Sequence, residues 1–368
     1  MIFNNDGTRE LNFELTKSSI SQLKREWKEY VRNIPPFTDN SEGRGIVICG
    51  GGIKYFTCAW ICISMLRRVG CKLSIELWYK RGELNSAAIL AVSRYTVTCK
   101  CIDDYPDSDV SGWALKPSVI KWSSFKEILY LDADNICLND PSELFDLPEF
   151  RSTGAVFWPD FWTTMSDNPI WKIMNVPYMH MKEQESGQML LNKEKCWRAL
   201  HLTIYLNSLK EIYYKLLLGD KDTFRFSWLA LKQDFHFVDK EPSVVGYFEN
   251  ESFFMGNTML QFSPHHKPYF LHRNLIKWNE TNIKEFHWQF IKEFQKPASF
   301  KQYDHGYSNE YNRYYMNING DIGISDFISQ FGNIESLCHD LLDELREMDF
   351  YRSFIYEQSR QYQFAYRP

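Results

Sequence analysis

The chain has 368 residues, enough for one large domain or two modest ones. Hydrophobic residues at 44% and charged residues at 24% exclude a disordered or fibrous chain. A net charge of -5 leaves no basic surplus to argue for nucleic-acid binding.

Aromatic residues reach 16%, and such side chains line sugar-binding clefts as well as cores. Cysteines at 49, 58, 62, 71, 99, 101, 137, 196 and 338 show no C-x-x-C spacing. They read as free thiols of a reducing compartment. The start, Met1-Ile2-Phe3-Asn4, lacks the basic and apolar regions of a signal peptide. No run of about 18 apolar residues is present, so no transmembrane segment is expected. Together these features lead to an expectation of cytoplasmic location. The sequons at Asn250 and Asn279 would matter only after secretion.

Residues 11–33 predict a helix, with Thr16, Ser18 and Ser19 as caps and Leu23, Trp27, Tyr30 and Val31 as its apolar face. Pro35 and Pro36 end it, and residues 1–43 read as an N-terminal helical extension. The main domain, 44–280, opens on an apolar strand at Gly45–Cys49. Gly50-Gly51-Gly52 and a helix from about Tyr55 to Val69 follow. Such a strand, glycine turn and helix form a unit of the nucleotide-binding type. The turn allows close backbone approach and leaves amides at a helix N-terminus. Strands follow at 73–79 and 97–102, then an acidic loop at 103–112. A helix over 113–124 carries Lys116. The alternation predicts an α/β fold with a mixed, mostly parallel central sheet.

Ile128–Leu131 is a fourth buried strand, and it ends in Asp132-Ala133-Asp134. Residues i and i+2 of an extended chain share a face, so both carboxylates can meet one spot at the strand's carboxyl end. Two like charges there call for a hard divalent cation, Mn²⁺ or Mg²⁺, shared with substrate phosphates. A plain strand-ending turn is the alternative.

Further strands are expected at 154–158 and 185–192, with an irregular aromatic region at 161–182 between them. A long helix is expected over 194–218, and another opens at Gly219-Asp220-Lys221-Asp222. Residues 246–259 read as an aromatic loop. His265–Asn274 is a second chemically dense stretch. From about 282 to the end the chain reads as mostly helix with a glycine- and asparagine-rich break at 304–323. Residues 281–368 therefore form a predicted C-terminal helical extension.

Several ordered motifs resemble the fungal Golgi α-mannosyltransferases that build mannan side chains. They are Arg44–Gly51, Leu66–Gly70, Ile75–Tyr79, Ser124–Asn135, Asp140-Pro141, Leu144-Phe145, Gly154–Asp160, Glu185–Gln188 and Gly219–Arg225. The motif order is also similar to the glycogenin-like retaining transferases. The resemblance covers roughly residues 44–275. It implies a GT-A fold and a metal-dependent, retaining transfer of mannose from GDP-mannose, or of a sugar from a UDP-sugar. The acceptor would be an oligosaccharide or glycoprotein hydroxyl.

Carried over by position, Asp132, Asp134 and His272 would hold the metal. Lys116 and Lys277 would contact the diphosphate, and Gly50, Gly51, Tyr55, Ala133 and Gly187 would line the donor site. Gln188 would lie near the reacting sugar, and Asp220 and Asp222 would hold sugar hydroxyls. Asp220, Asp222 or Glu185 would be the carboxylate of any covalent route. Acceptor contacts are expected from Phe157–Tyr178 and Tyr247–Phe254. Two departures stand out: this chain shows no membrane anchor, and Glu185-Ser186-Gly187 replaces the glycogenin-like Asn-Ser-Gly. A sugar-phosphate nucleotidylyltransferase and a nucleotide-sugar binding protein without turnover are the rival classes.

Overall fold

A computed structural model describes residues 2–356, apart from 39, 107–108 and 283–284. Two sheets organise it. In the first, four parallel strands run in the order Val97–Cys101, Ser74–Tyr79, Arg44–Cys49, Glu127–Asp132. Lys182–Asn192 then joins antiparallel to Glu127–Asp132, and Ala155–Thr164 antiparallel to Lys182–Asn192. This is the expected α/β arrangement with a mixed, mostly parallel sheet.

The inner parallel strands Arg44–Cys49 and Glu127–Asp132 are covered on both faces, which is why they read as apolar runs, whereas the edge strand Val97–Cys101 leaves Thr98 exposed. Ile46, Val47, Ile48, Ile128, Leu129 and Leu131 have no exposed surface. The helix Gly52–Arg68 is buried continuously from Phe56 to Leu66. It packs against the helix Ile334–Glu347 on one side and the strand Asn135–Cys137 on another. An all-round apolar sequence fits such a sandwiched position.

The second sheet is antiparallel, in the order Lys301–Ser308, Arg313–Gly320, Phe254–Phe262, Ser243–Phe248, Phe290–Phe294, Ile322–Asp326. Pro268–His272 pairs with Phe254–Phe262 and also with Asn135–Cys137. The two sheets thus meet at the chain segment that carries Asp132 and Asp134.

Several expectations are corrected. Among the described residues of the stretch 281–368, helix does not dominate: four of the second sheet's strands lie between Phe290 and Asp326. The glycines and asparagines there turn hairpins, with Asn312 and Gly320 at positive φ (54° and 103°), instead of interrupting a helix. Helix returns at Phe327–Phe331 and Ile334–Glu347. The part of that expected helix beyond 356 lies outside the described residues. The stretch 246–259 is a hairpin and not a loop. The strand at 155 runs on to Thr164, with Pro159 beside a register shift where no ladder hydrogen bond is needed. The predicted helix over 194–218 is two, Trp197–Ser208 and Lys210–Leu217.

At the N-terminus, the helix Lys17–Arg32 forms as expected, with Thr16 capping the Ser19 amide and Leu23, Trp27 and Val31 buried. Residues 1–43 are more than a helix, however. Thr8–Glu10 joins the first sheet beside Ala155–Thr164, and Ile2–Phe3 pairs with it. All nine cysteines are free, and seven of them are buried.

Candidate active site

Glu127–Asp132 closes the parallel run of the first sheet, residues 133 and 134 turn, and Asn135–Cys137 enters the second sheet. The two aspartates therefore converge through a turn and not from one face of an extended strand. His272 arrives from far away in sequence because strand pairing sets it opposite Asn135. One ligand atom from each of Asp132, Asp134 and His272 lies within 4.8 Å of the others. His272 Nε2 is 3.3 Å from Asp134 Oδ1 and 3.9 Å from Asp132 Oδ2.

Two carboxylates and an imidazole form a donor set that suits Mn²⁺ and related divalent cations. The other imidazole nitrogen fits that role too. His272 Nδ1 is buried without a hydrogen-bond partner, and Glu185 Oε1 stands 3.6 Å away. A carboxylate behind a metal-ligating imidazole commonly orients the ring. Gly187 makes room for it: a Cβ there would sit 2.5 Å from His272 Nδ1 and Cε1.

Two ammonium groups flank the carboxylates. Lys277 pairs with Asp134. Lys116 Nζ is 3.2 Å from Asp132 Oδ1 and 3.2 Å from Asp220 Oδ2, and it donates to Ser186 Oγ at 2.8 Å. Burial opposes the charge on Lys116, but Asp132, Asp220 and Glu185 outweigh it and raise its pKa. Burial likewise opposes charge on Asp134, yet Lys277 and His272 hold its carboxyl well below the usual range. Burial also opposes protonation of His272, and Asp134, Glu185 and Asp132 together reverse that. The cluster is thus a buried electrostatic knot, of the kind concentrated at functional sites.

Two cavities meet here. One, of about 560 Å³, is lined by Gly51, Tyr55, Trp113, Lys116, Asp132, Ala133, Asp134 and Lys277 among others. The second, of about 710 Å³, shares Tyr55, Trp113, Lys116, Asp132 and Lys277 and adds Asp160, Glu185, Asp220, Lys221 and His272. Both volumes suit small-molecule sites.

Most expected residues are thereby brought together, but four stand apart. Gly50 and Gly187 line neither cavity. Gln188 is fully buried and accepts from Asn135 Nδ2 at 2.7 Å, so it braces the turn after Asp134. Asp222 is also fully buried, with Arg225 Nε at 2.7 Å, Lys221 Nζ at 3.1 Å and the Gln184 amide at 3.0 Å. The glycine turn differs from expectation as well. The Gly50 and Gly52 amides donate to Trp78 O and Glu83 O, and a Cβ on Gly51 would lie 1.9 Å from Glu83 Oε2. The loop is packed against Glu83, which itself lines the first cavity.

Other contributors were not legible in the sequence. Tyr130 donates to Asp132 Oδ1 at 2.9 Å. Lys221 lies between Asp160 (2.9 Å), Glu183 (2.5 Å) and Asp222 (3.1 Å). The strand-end position of Tyr130, two residues before Asp132, was the one available signal for it. Cys49 also lines the first cavity, and burial pushes its thiol up to about 12. Of the expected acceptor stretches, Phe161 and Trp162 line the second cavity, while Tyr247–Phe254 does not.

The family profile described as "Mannosyltransferase putative" matches residues 43–184 and 172–266, more than half of the chain. The chain belongs to this mannosyltransferase family. Among individual relatives, it is 27% identical over 340 residues to the α-1,2-mannosyltransferase MNN22 of Candida albicans, a match covering 74% of this chain and 56% of that protein. It is 30% identical over 268 residues to MNN24 of the same organism, covering 57% and 38% respectively. The chain spans about half the length of these relatives. A distant structural likeness is to the mannosyltransferase Ktr4p from S. cerevisiae, at 9% identity and TM-score 0.36, covering 62% of this chain and 81% of that one. Among the described residues no helix is long and apolar enough to cross a membrane.

Proposed function

We propose that this mannosyltransferase-family chain moves mannose from GDP-mannose to a hydroxyl of an oligosaccharide or glycoprotein, with retention, assisted by a divalent cation. The convergence of Asp132, Asp134 and His272 with Lys116 and Lys277 where two cavities join carries this reading. The α-1,2-mannosyltransferase relatives support the choice of sugar.

Asp132, Asp134 and His272 would hold Mn²⁺, which supplies Lewis-acid neutralisation of the leaving diphosphate. Lys116 adds positive charge on the same side, fixed by Ser186 and Asp220 so that little reorganisation is needed as charge develops. Lys277 sits at the shared wall of both cavities and can exchange Asp134 for a phosphate oxygen. Glu185 keeps the His272 ring aligned. Asp220 and Glu185 line the second cavity, whereas Asp222 is saturated by Arg225 and Lys221. A covalent route would therefore fall to Asp220 or Glu185, and same-face attack would use the leaving phosphate oxygen as base. Burial raises the pKa of both carboxyls, with Lys116 and His272 respectively working against that rise.

The test is release of nucleotide from a panel of sugar donors, with Mn²⁺ and with EDTA. GDP release from GDP-mannose, lost in EDTA, is the expected result. Release from a UDP-sugar would keep the chemistry and change the donor. Release of pyrophosphate from a nucleoside triphosphate and a sugar phosphate would overturn the reading in favour of nucleotidyl transfer. His272→Ala should raise the Mn²⁺ concentration for half-maximal activity by about tenfold or more. An unchanged metal titration would remove His272 from the site.

A further inference from the structure

The second cavity has a wall that comes from outside the family match. Its lining includes the acidic and basic cluster of Asp160, Glu185, Asp220 and Lys221. It also includes an aromatic group of Phe3 from the N-terminal strand, Trp162 from Ala155–Thr164, and His305 and Tyr314 from the hairpin Lys301–Ser308/Arg313–Gly320. Phe3 packs on Trp162 with ring centroids 4.4 Å apart and meets His305 at 5.1 Å. His305 and Tyr314 stack nearly parallel, 21° apart.

This wall is fastened in place. The Tyr303 amide donates to Asn5 O at 2.8 Å, and the Thr163 amide donates to Gly7 O at 2.8 Å. The N-terminal segment is thus pinned between the hairpin and Trp162's own strand. A side chain on Gly7 would collide with the Tyr303 ring, with its Cβ 2.6 Å from Cε2. His305 Nδ1 is held 2.8 Å from Tyr315 O. Tyr314 remains 55% exposed at the cavity, while Trp162 is 7% exposed.

Resting on the proposed transferase function, we propose that Phe3, Trp162, His305 and Tyr314 form the platform that seats the acceptor glycan and selects its shape. Three features favour a carbohydrate. Aromatic side chains match the apolar faces of pyranose rings, and the charged groups lining the same cavity match hydroxyls. The cavity also joins the metal cluster directly through Lys116 and Asp132, so a hydroxyl held there reaches the donor side. Because Phe3, His305 and Tyr314 lie outside residues 43–266, acceptor choice would be set by segments that the family profile does not match.

The experiment uses the whole chain and α-linked mannotriose as probe. Binding is read from intrinsic tryptophan fluorescence without donor, and the acceptor KM is read with GDP-mannose and Mn²⁺. Trp162→Ala and Tyr314→Ala should each weaken mannotriose binding and raise the acceptor KM about tenfold, while the Kd for GDP stays within twofold. Tyr314→Phe, which keeps the ring, should restore most of the affinity. Mannotriose binding unchanged in both alanine variants would overturn the platform. If no donor is turned over by the wild-type chain, yet mannotriose binds and the variants lose it, the platform stands and the transferase reading fails.

Discussion

Asp134→Asn should lower kcat/KM for metal-dependent transfer by about a thousandfold or more, roughly 4 kcal/mol of transition-state stabilisation. Asp134 is 3% exposed and stands between the His272 imidazole and the Lys277 ammonium. In the proposed function its carboxylate would have two roles, completing the donor set with Asp132 and His272 and pairing with the Lys277 ammonium. An amide keeps the shape but removes the charge, so a bound Mn²⁺ would lose a strong ligand and Lys277 would lose its partner. Because a buried unpaired ammonium is itself costly, thermal unfolding must be followed alongside activity. Asp132→Asn provides the separating case. Its side chain is 28% exposed, so the stability cost should be small while activity still falls sharply. A well-folded Asp132→Asn protein with wild-type, EDTA-sensitive transfer would sink the metal-site assignment.

The second large effect is on stability. Glu183→Gln should lower the stability of the fold by about 3–5 kcal/mol and the apparent melting temperature by roughly 10 °C. Glu183 has no exposed surface. Its carboxylate accepts from Arg9 Nη2 at 2.7 Å, Lys221 Nζ at 2.5 Å and Thr164 Oγ1 at 2.9 Å. This cluster ties the N-terminal strand to the first sheet and to the start of the helix Lys221–Leu231. Burial works against the Glu183 charge, but Lys221 and Arg9 outweigh it and hold its carboxyl below the usual 4.5. A depressed carboxyl contributes stability that is complete above about pH 4.5 and is lost as pH falls further. The wild-type melting temperature should therefore fall more steeply below pH 4.5 than that of Glu183→Gln. Parallel curves for the two proteins would show that this network does not support the fold.

The sequence by itself determined the parallel half of the first sheet. Its inner strands are buried on both faces, so Arg44–Cys49 and Glu127–Asp132 appear as apolar runs between polar turns. Asp132 and Asp134 were legible for the same reason, as carboxylates set abruptly at the end of such a run. The ordered motifs around them pointed to the family.

The antiparallel second sheet was not legible. Its inner strands Ser243–Phe248 and Phe254–Phe262 are buried, but the outer strands Lys301–Ser308, Arg313–Gly320 and Ile322–Asp326 are only partly so, and the glycines and asparagines of these outer strands imitate a broken helix when hairpin partners are unknown. Long-range pairing is a property of two strands at once, and no local pattern reports it. Only the tertiary structure decided that His272 faces Asn135, that Lys277 reaches Asp134, and that Gln188 and Asp222 turn into the interior. It also brought Phe3 and Tyr314, 311 positions apart by their residue numbers, to one cavity wall. Charge and ring type could be read from the chain, but their neighbours were set by sheet register.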